Sequence, residues 1–170
     1  KYFDTYVDKE NHSPFQRLQV LVWKNCTMPK SFFNMITDDT YNSDNDVTDT
    51  GSMPVYHIRK LDLTNTPQDA PFPAFMNRFP WLQTLILKNT NLTGGVDFTT
   101  LSSLPYLRNL DLSDNPNLTG ELTSEMANSQ YNSIFDISGT AITGQITGSE
   151  PICQEQSTVY CRLPPGVQVQ

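Results

Sequence analysis

Apolar positions recur along this chain with a period of 24 or 25 residues. The stretch Leu82-Gln-Thr-Leu85-Ile-Leu87-Lys-Asn-Thr90-Asn-Leu92-Thr-Gly returns as Leu107-Arg-Asn-Leu110-Asp-Leu112-Ser-Asp-Asn115-Pro-Asn-Leu118-Thr-Gly. It returns again as Asn132-Ser-Ile-Phe135-Asp-Ile137-Ser-Gly-Thr140-Ala-Ile142-Thr-Gly. Upstream, Ile58-Arg-Lys-Leu61-Asp-Leu63 and Leu18-Gln-Val-Leu21-Val-Trp23 keep the register, so five units start at Leu18, Ile58, Leu82, Leu107 and Asn132. A fixed period in this range is the mark of a stacked solenoid, in which each unit buries its apolar face against its neighbours.

Inside each unit the fourth and sixth positions are apolar and the residues between them are mostly polar, the two-residue alternation of a strand. Short parallel strands are therefore predicted near residues 19–23, 59–63, 83–87, 108–112 and 133–137. Leu21 and Trp23, Leu61 and Leu63, Leu85 and Leu87, Leu110 and Leu112, and Phe135 and Ile137 should point inward. The opposite, convex side is expected to be filled by Phe72, Phe75 and Phe79, then Val96, Phe98, Leu101 and Leu104, then Leu118, Leu122 and Met126. Its Pro, Thr and Ser content predicts irregular and short 3₁₀ segments in place of long helices. The ninth positions hold Cys26, Thr66, Thr90, Asn115 and Thr140, residues that are small or can bond backbone. A tight turn leaving a buried strand needs such partners for its amides.

These residues resemble the LxxLxLxxN unit of extracellular leucine-rich-repeat proteins. The Leu-Thr-Gly at 92–94 and 118–120 and the Ile-Thr-Gly at 142–144 resemble the plant-type subclass, LxxNxLTGxIP. The resemblance covers residues 15 to 148 and implies an α/β solenoid with a parallel sheet on its concave face. The Ile-Pro after the glycine is missing, only one ninth position is Asn, and the paired-cysteine N-terminal cap of plant receptors is absent. The resemblance therefore implies a divergent secreted repeat protein.

Three segments follow. Residues 1–17, with Tyr2, Phe3, Tyr6 and Val7, read as an N-terminal cap or the remnant of a preceding repeat; residues 18–150 are the repeats; residues 151–170 form a cysteine-closed cap and a Pro-rich tail. The tail segment Leu163-Pro-Pro-Gly166 reads as a linker or docking segment. The first unit is 16 residues longer than the second, and the surplus at 37–52 carries five aspartates and no basic residue. It reads as a solvated loop; Asp44, Asp46 and Asp49 lack the glycine and terminal Glu of an EF-hand.

Composition narrows the function classes. A net charge of −7 argues against nucleic acid and anionic lipid as main partners. No run of 18 apolar residues is present, so no membrane-spanning segment is expected. The chain opens on Lys1 without a visible signal peptide, as a mature or trimmed product would. Four Asn-x-Ser/Thr triplets, at Asn11, Asn25, Asn91 and Asn117, are candidate glycosylation sites, and the last three fall at outward turns; the alternative is ordinary polar turn residues. Cys153 and Cys161 flank seven residues just past the last repeat. A bridge there would close the open end of the stack and contribute on the order of 2–3 kcal/mol, against two free thiols as the alternative. Cys26 is expected to be a buried free thiol. Three cysteines without a Cys/His cluster make no zinc site, and no cofactor is implied.

No catalytic motif surrounds His12 or His57, and Asp62, Asp111 and Asp136 share one repeat position, so they read as a column and not as an acid/base pair. An enzyme is not expected. The best-defined candidate surface is the concave sheet, whose outward columns are Val20, Lys60, Thr84, Asn109 and Ile134; Val22, Asp62, Ile86, Asp111 and Asp136; and Lys24, Thr64, Lys88, Ser113 and Ser138. From these, Val22, Lys24, Lys60, Asp62, Ile86, Lys88, Asn109, Asp111 and Asp136 are the candidate ligand-binding residues. Strands about 4.8 Å apart would bring Asp111 and Asp136 close as like charges, to be relieved by a partner cation, solvent or Arg108. The expected function is recognition of a protein, peptide or glycan by a secreted or cell-surface glycoprotein. The alternative is a structural glycoprotein that assembles through its solenoid ends.

Overall fold

The computed structural model of the protein describes residues 18–28, 32–33, 57–122, 124–127, 134–146, 153 and 159–169. The expected N-terminal cap (1–17), Asn11 and the acidic insertion (37–52) lie outside the described residues. The described chain is a parallel-sheet β-solenoid with little helix. Its main sheet has six strands, β1 (Val20–Val22), β2 (Lys60–Asp62), β3 (Thr84–Ile86), β5 (Asn109–Asp111), β8 (Ile134–Asp136) and β10 (Tyr160–Arg162), adjacent in that order and all parallel. The register follows the repeat: Leu21, Leu61, Leu85, Leu110, Phe135 and Cys161 face one another across the sheet.

The chain returns between strands through the Leu-Thr-Gly segments, which build smaller parallel sheets of their own. β4 (Gly94–Gly95) pairs with β6 (Leu118–Thr119), while β9 (Thr143–Ile146) lies between β7 (Glu121–Leu122) and β11 (Val167–Val169). Glycine is required where these strands close up. Gly120 and Gly144 have φ of 139° and 146°. A Cβ on Gly144 would lie 2.6 Å from the Leu122 carbonyl oxygen, and one on Gly120 would lie 2.9 Å from that of Val96. The remaining segments opposite the main sheet include a 3₁₀ turn (Met76–Arg78) and two short helices, α1 (Phe98–Ser102) and α2 (Ser124–Ala127). Asp97 caps α1, with Oδ1 accepting from the Thr100 amide and Oδ2 from its hydroxyl at 3.0 and 2.6 Å.

The inward leucines and the apolar residues of the return segments form one continuous core, with Leu61, Leu85, Leu110 and Phe135 fully buried. The first unit departs from the expected burial. Leu21 and Trp23 are only half-buried, because β1 ends the sheet and has a single strand neighbour among the described residues. Cys26 is likewise half-buried and not buried, with its thiol donating to the Lys24 carbonyl at 3.1 Å.

The ninth positions satisfy the turns in two ways. Thr66 and Thr140 donate their hydroxyls to backbone carbonyls of Trp23 and Ile137 at 2.9 and 2.7 Å. Asn115, fully buried, does more: Oδ1 accepts from the Thr90 and Leu92 amides, and Nδ2 donates to the Leu87 and Leu112 carbonyls. The eighth position is left-handed in every one of these turns. Asn25, Asn65, Asn89 and Asp114 have φ of 54°, 54°, 51° and 59°, which Asn and Asp tolerate better than other side chains. Three of these asparagines also stack: Asn89 Nδ2 donates to Asn65 Oδ1 and Asn65 Nδ2 to Asn25 Oδ1 at 3.0 and 2.9 Å.

A disulfide joins Cys153 to Cys161, their Cα atoms 5.2 Å apart, and so ties the chain to β10. The Pro-rich segment, read as a linker or docking segment, docks on the solenoid of its own chain. Pro164 is buried, and Val167–Val169 pairs with β9. No helix among the described residues is long and apolar enough to cross a membrane.

Candidate functional site

The outer face of the main sheet collects the expected columns in register and extends them by Tyr160 and Arg162 of β10. Two sequence rules emerge on it. Where the fifth position is Asp, the seventh is Ser or Thr; where it is aliphatic, the seventh is Lys. The first rule is local. Oδ1 of Asp62, Asp111 and Asp136 accepts from the hydroxyl two residues on, at 2.7, 2.6 and 2.6 Å, and from the amide of the same residue. These are small side-chain turns that fix the carboxylate against its own strand end.

The second rule acts between units. Lys24 reaches Asp62 Oδ2 at 2.8 Å. Burial pushes the Asp62 carboxyl up, but the Lys24 ammonium and the Thr64 hydroxyl and amide outweigh it and hold the group below its usual value. Lys88 bonds Asp114 at 3.0 Å. Asp114 raises the Lys88 ammonium above its usual value despite partial desolvation, and Asp111 and Asp136 add attraction. Asp111 and Asp136 stand side by side in the sheet, and Lys88 of the third unit attracts both from a distance. Arg108 donates to the Leu107 carbonyl at 3.0 Å.

This pairing corrects the expected exposure of the columns. Asp62, Ser113 and Asp136 occupy outward positions yet are 1, 1 and 4% exposed; each takes part in a carboxylate–hydroxyl turn, and Asp62 also bonds Lys24. Lys60, Ile86, Lys88, Asn109 and Asp111 are half-buried, whereas Val20, Val22 and Tyr160 are 55, 49 and 49% exposed. The Asn109 amide donates to Thr84 Oγ1 at 3.2 Å, while its Oδ1 is buried without a partner. One turn upstream of the same two strands, Trp81 and Tyr106 stack at 5.5 Å and 16° with 43% of each exposed. Sequence reasoning missed this pair, although both residues follow a proline directly before a unit start.

The three described glycosylation candidates, Asn25, Asn91 and Asn117, are all exposed. Asn91 Nδ2 donates to Asp69 Oδ1 at 2.5 Å, and Asn25 uses only its oxygen, as the last acceptor of the asparagine stack. Among the described residues no group of His, Cys, Asp and Glu is arranged to hold a metal. An open depression of about 610 Å³ lies away from the main sheet, along β7, β9 and β11, lined by Glu121, Ser124, Gln145 and Gln168 over Gly144 and Gly166.

No protein-family model matches the chain. A stretch of 66 residues, 39% of the chain, is 41% identical to Receptor-like protein 50 of Arabidopsis thaliana, and it spans 7% of that protein's length. This partial likeness to a plant receptor-like protein, together with the parallel-sheet solenoid, fits a leucine-rich-repeat protein.

Proposed function

We propose that this chain is an extracellular, N-glycosylated leucine-rich-repeat module of about five repeats that recognises a protein, peptide or glycan through the concave, outer face of its main sheet and catalyses no reaction. The observation that carries this reading is the state of the charges on that face. Lys24 and Lys88 are engaged by carboxylates of neighbouring units, which leaves aliphatic and aromatic side chains as much of the free chemistry. Exposed apolar groups set among internally neutralised charges suit a recognition surface, since a partner gains burial without stripping free ions of water. The likeness to a receptor-like protein supports recognition, and the disulfide supports an oxidising, extracellular setting. The test is a parallel screen of secreted-protein and glycan arrays with the wild type, Val22→Glu, Ile86→Glu and, on the convex helix, Thr99→Glu. Ligands lost by the two sheet-face variants and kept by Thr99→Glu support the reading. Absence of any ligand, or equal loss with Thr99→Glu, refutes it.

One observation favours a second reading, a structural glycoprotein assembled end to end. Among the described residues β1 ends the main sheet with exposed Val20 and Val22, and β10 and β11 end both sheets with exposed Tyr160 and Val169. Light scattering of the glycosylated protein separates the two: a monodisperse monomer supports recognition, and ordered oligomers broken by Tyr160→Lys support assembly.

A further inference from the structure

The structure points to a specific ligand class for the segment of the face shared by the third and fourth units, an inference that rests on the recognition reading above. We propose that Trp81, Tyr106, Thr84 and Asn109 form a binding site for a neutral glycan chain. Two independent observations meet here. The first is the aromatic pair. With planes at a contact spacing of about 3.5 Å, a 5.5 Å centroid separation leaves the rings slipped by about 4 Å, so part of each ring face stays uncovered by the other. The result is a stepped, preformed aromatic platform, open to solvent on both rings. The C–H faces of pyranose rings stack on such platforms.

The second is the amide of Asn109, on the strand that Tyr106 leads into, registered against Thr84 on the strand that Trp81 leads into. Its nitrogen is bonded to Thr84 and its oxygen has no donor. Turning the amide over bonds the oxygen to Thr84 and strands the nitrogen instead. A buried polar group without a partner is costly, so the present orientation of this side chain is cheap to leave. A hydroxyl satisfies either orientation, because it both donates and accepts.

The charges around the platform are mostly engaged. Lys88 is held by Asp114 and Asp111 by Ser113, Gln83 and Thr84 beside Trp81 are neutral, Arg108 beside Tyr106 bonds the Leu107 carbonyl, and Lys60 registers with Thr84. Hydroxyls, amides and exposed aromatic faces match the hydroxyls and C–H faces of a neutral polysaccharide better than a basic peptide.

The experiment is a titration of the full chain with cellohexaose, laminarihexaose, xylohexaose and chitohexaose. It is followed by the indole N–H signals of its two tryptophans, assigned with Trp81→Phe. At least one hexasaccharide is expected to shift the Trp81 signal and not that of Trp23. Its affinity should fall by about tenfold or more in Trp81→Ala and in Asn109→Ala, stay close to wild type in Thr99→Ala on α1, and be largely kept by Trp81→Phe. Because Trp81 and Tyr106 are exposed, unchanged melting temperatures establish that these variants still fold. The inference is overturned if no hexasaccharide moves the Trp81 signal at millimolar concentration, or if binding survives both Trp81→Ala and Asn109→Ala. A protein or peptide ligand from the array screen that ignores Trp81→Ala but is lost in Ile86→Glu would overturn the glycan site and leave the recognition reading standing.

Discussion

Replacing Gly144 by alanine tests the idea that the Leu-Thr-Gly glycines set the spacing of the solenoid. Gly144 sits in β9 between Leu122 of β7 and Gly166, whose carbonyl accepts its amide at 3.3 Å. An alanine Cβ would meet the Leu122 oxygen at 2.6 Å and nitrogen at 2.9 Å. Both are backbone atoms, so no flexible side chain can yield and the two strands must separate. The φ of 146° adds strain of about 1–3 kcal/mol for a residue with a Cβ. Separation also weakens the ladder bond from the Thr143 amide to the Gly120 carbonyl, now 2.9 Å, at about 1 kcal/mol for each bond lost. Stiffening of the unfolded chain by alanine returns about 0.4–1 kcal/mol, leaving a net loss of about 1–3.5 kcal/mol. Gly95 is the matched control: it lies in β4, its φ is not left-handed, and an added Cβ would meet nothing within 4 Å. Gly95→Ala should be neutral within about 0.5 kcal/mol. Urea unfolding of the three proteins, followed by far-ultraviolet circular dichroism, reads the difference. Since stability in a stack is local to neighbouring units, amide exchange in β9, β10 and β11 should accelerate before that in β2 and β3. Equal unfolding midpoints for Gly144→Ala and Gly95→Ala would refute the reasoning.

Leu110 is fully buried between Leu85 and Phe135, so Leu110→Asp should abolish cooperative unfolding, whereas Asp111→Ala should cost only about 1 kcal/mol through its bonds to Ser113. The opposite order in circular dichroism melts would reverse the inside and outside of the sheet. Asn115→Ala strands the Thr90 and Leu92 amides and should cost about 3–5 kcal/mol, with Asn115→Thr recovering only part because one hydroxyl cannot replace both ends of the amide; a stable alanine variant would show that the turn is satisfied otherwise. The Asp62 carboxyl is held below its usual value, so the folded state releases its proton more readily than the unfolded state. Its contribution is present above that value and is lost as pH falls through the folded pKa. Stability measured from about pH 5 down to pH 2 should therefore fall less steeply in Asp62→Asn than in the wild type, and parallel slopes would contradict the Lys24–Asp62 pairing.

The strand register and the core were readable from the chain because they obey one short-range rule. A leucine at the fourth and sixth positions faces inward whatever the neighbouring unit contains, and Leu61, Leu85, Leu110 and Phe135 all do so with 0% exposure. The last strand escaped for the same reason. Tyr160-Cys161-Arg162 replaces the fourth-position leucine with a disulfide-bonded cysteine, so apolar counting passes over it although it registers with β8. The left-handed asparagines at the eighth position could have been recognised, since Asn, Asn, Asn, Asp and Gly at Asn25, Asn65, Asn89, Asp114 and Gly139 share a tolerance for positive φ.

The candidate site was less legible because its chemistry depends on neighbours a full repeat away. Asp62, Asp111 and Asp136 look equivalent in a column, yet Lys24 pairs directly with Asp62, while Lys88 pairs with Asp114 and attracts the other two from a distance. A stacked unit can use an outward side chain in two ways, to bind a ligand or to neutralise the next unit. A column drawn from one repeat cannot tell these apart. The distinction requires asking, for each outward polar group, whether a complementary group sits one unit before or after it. Asp62, Lys24 and Lys88 find one, and so act first as fasteners between units, while Asp111 and Asp136 are held by Ser113 and Ser138 of their own units. Asn109 finds half of one, which is why the search for a ligand narrows to the strands where Trp81 and Tyr106 already stand together.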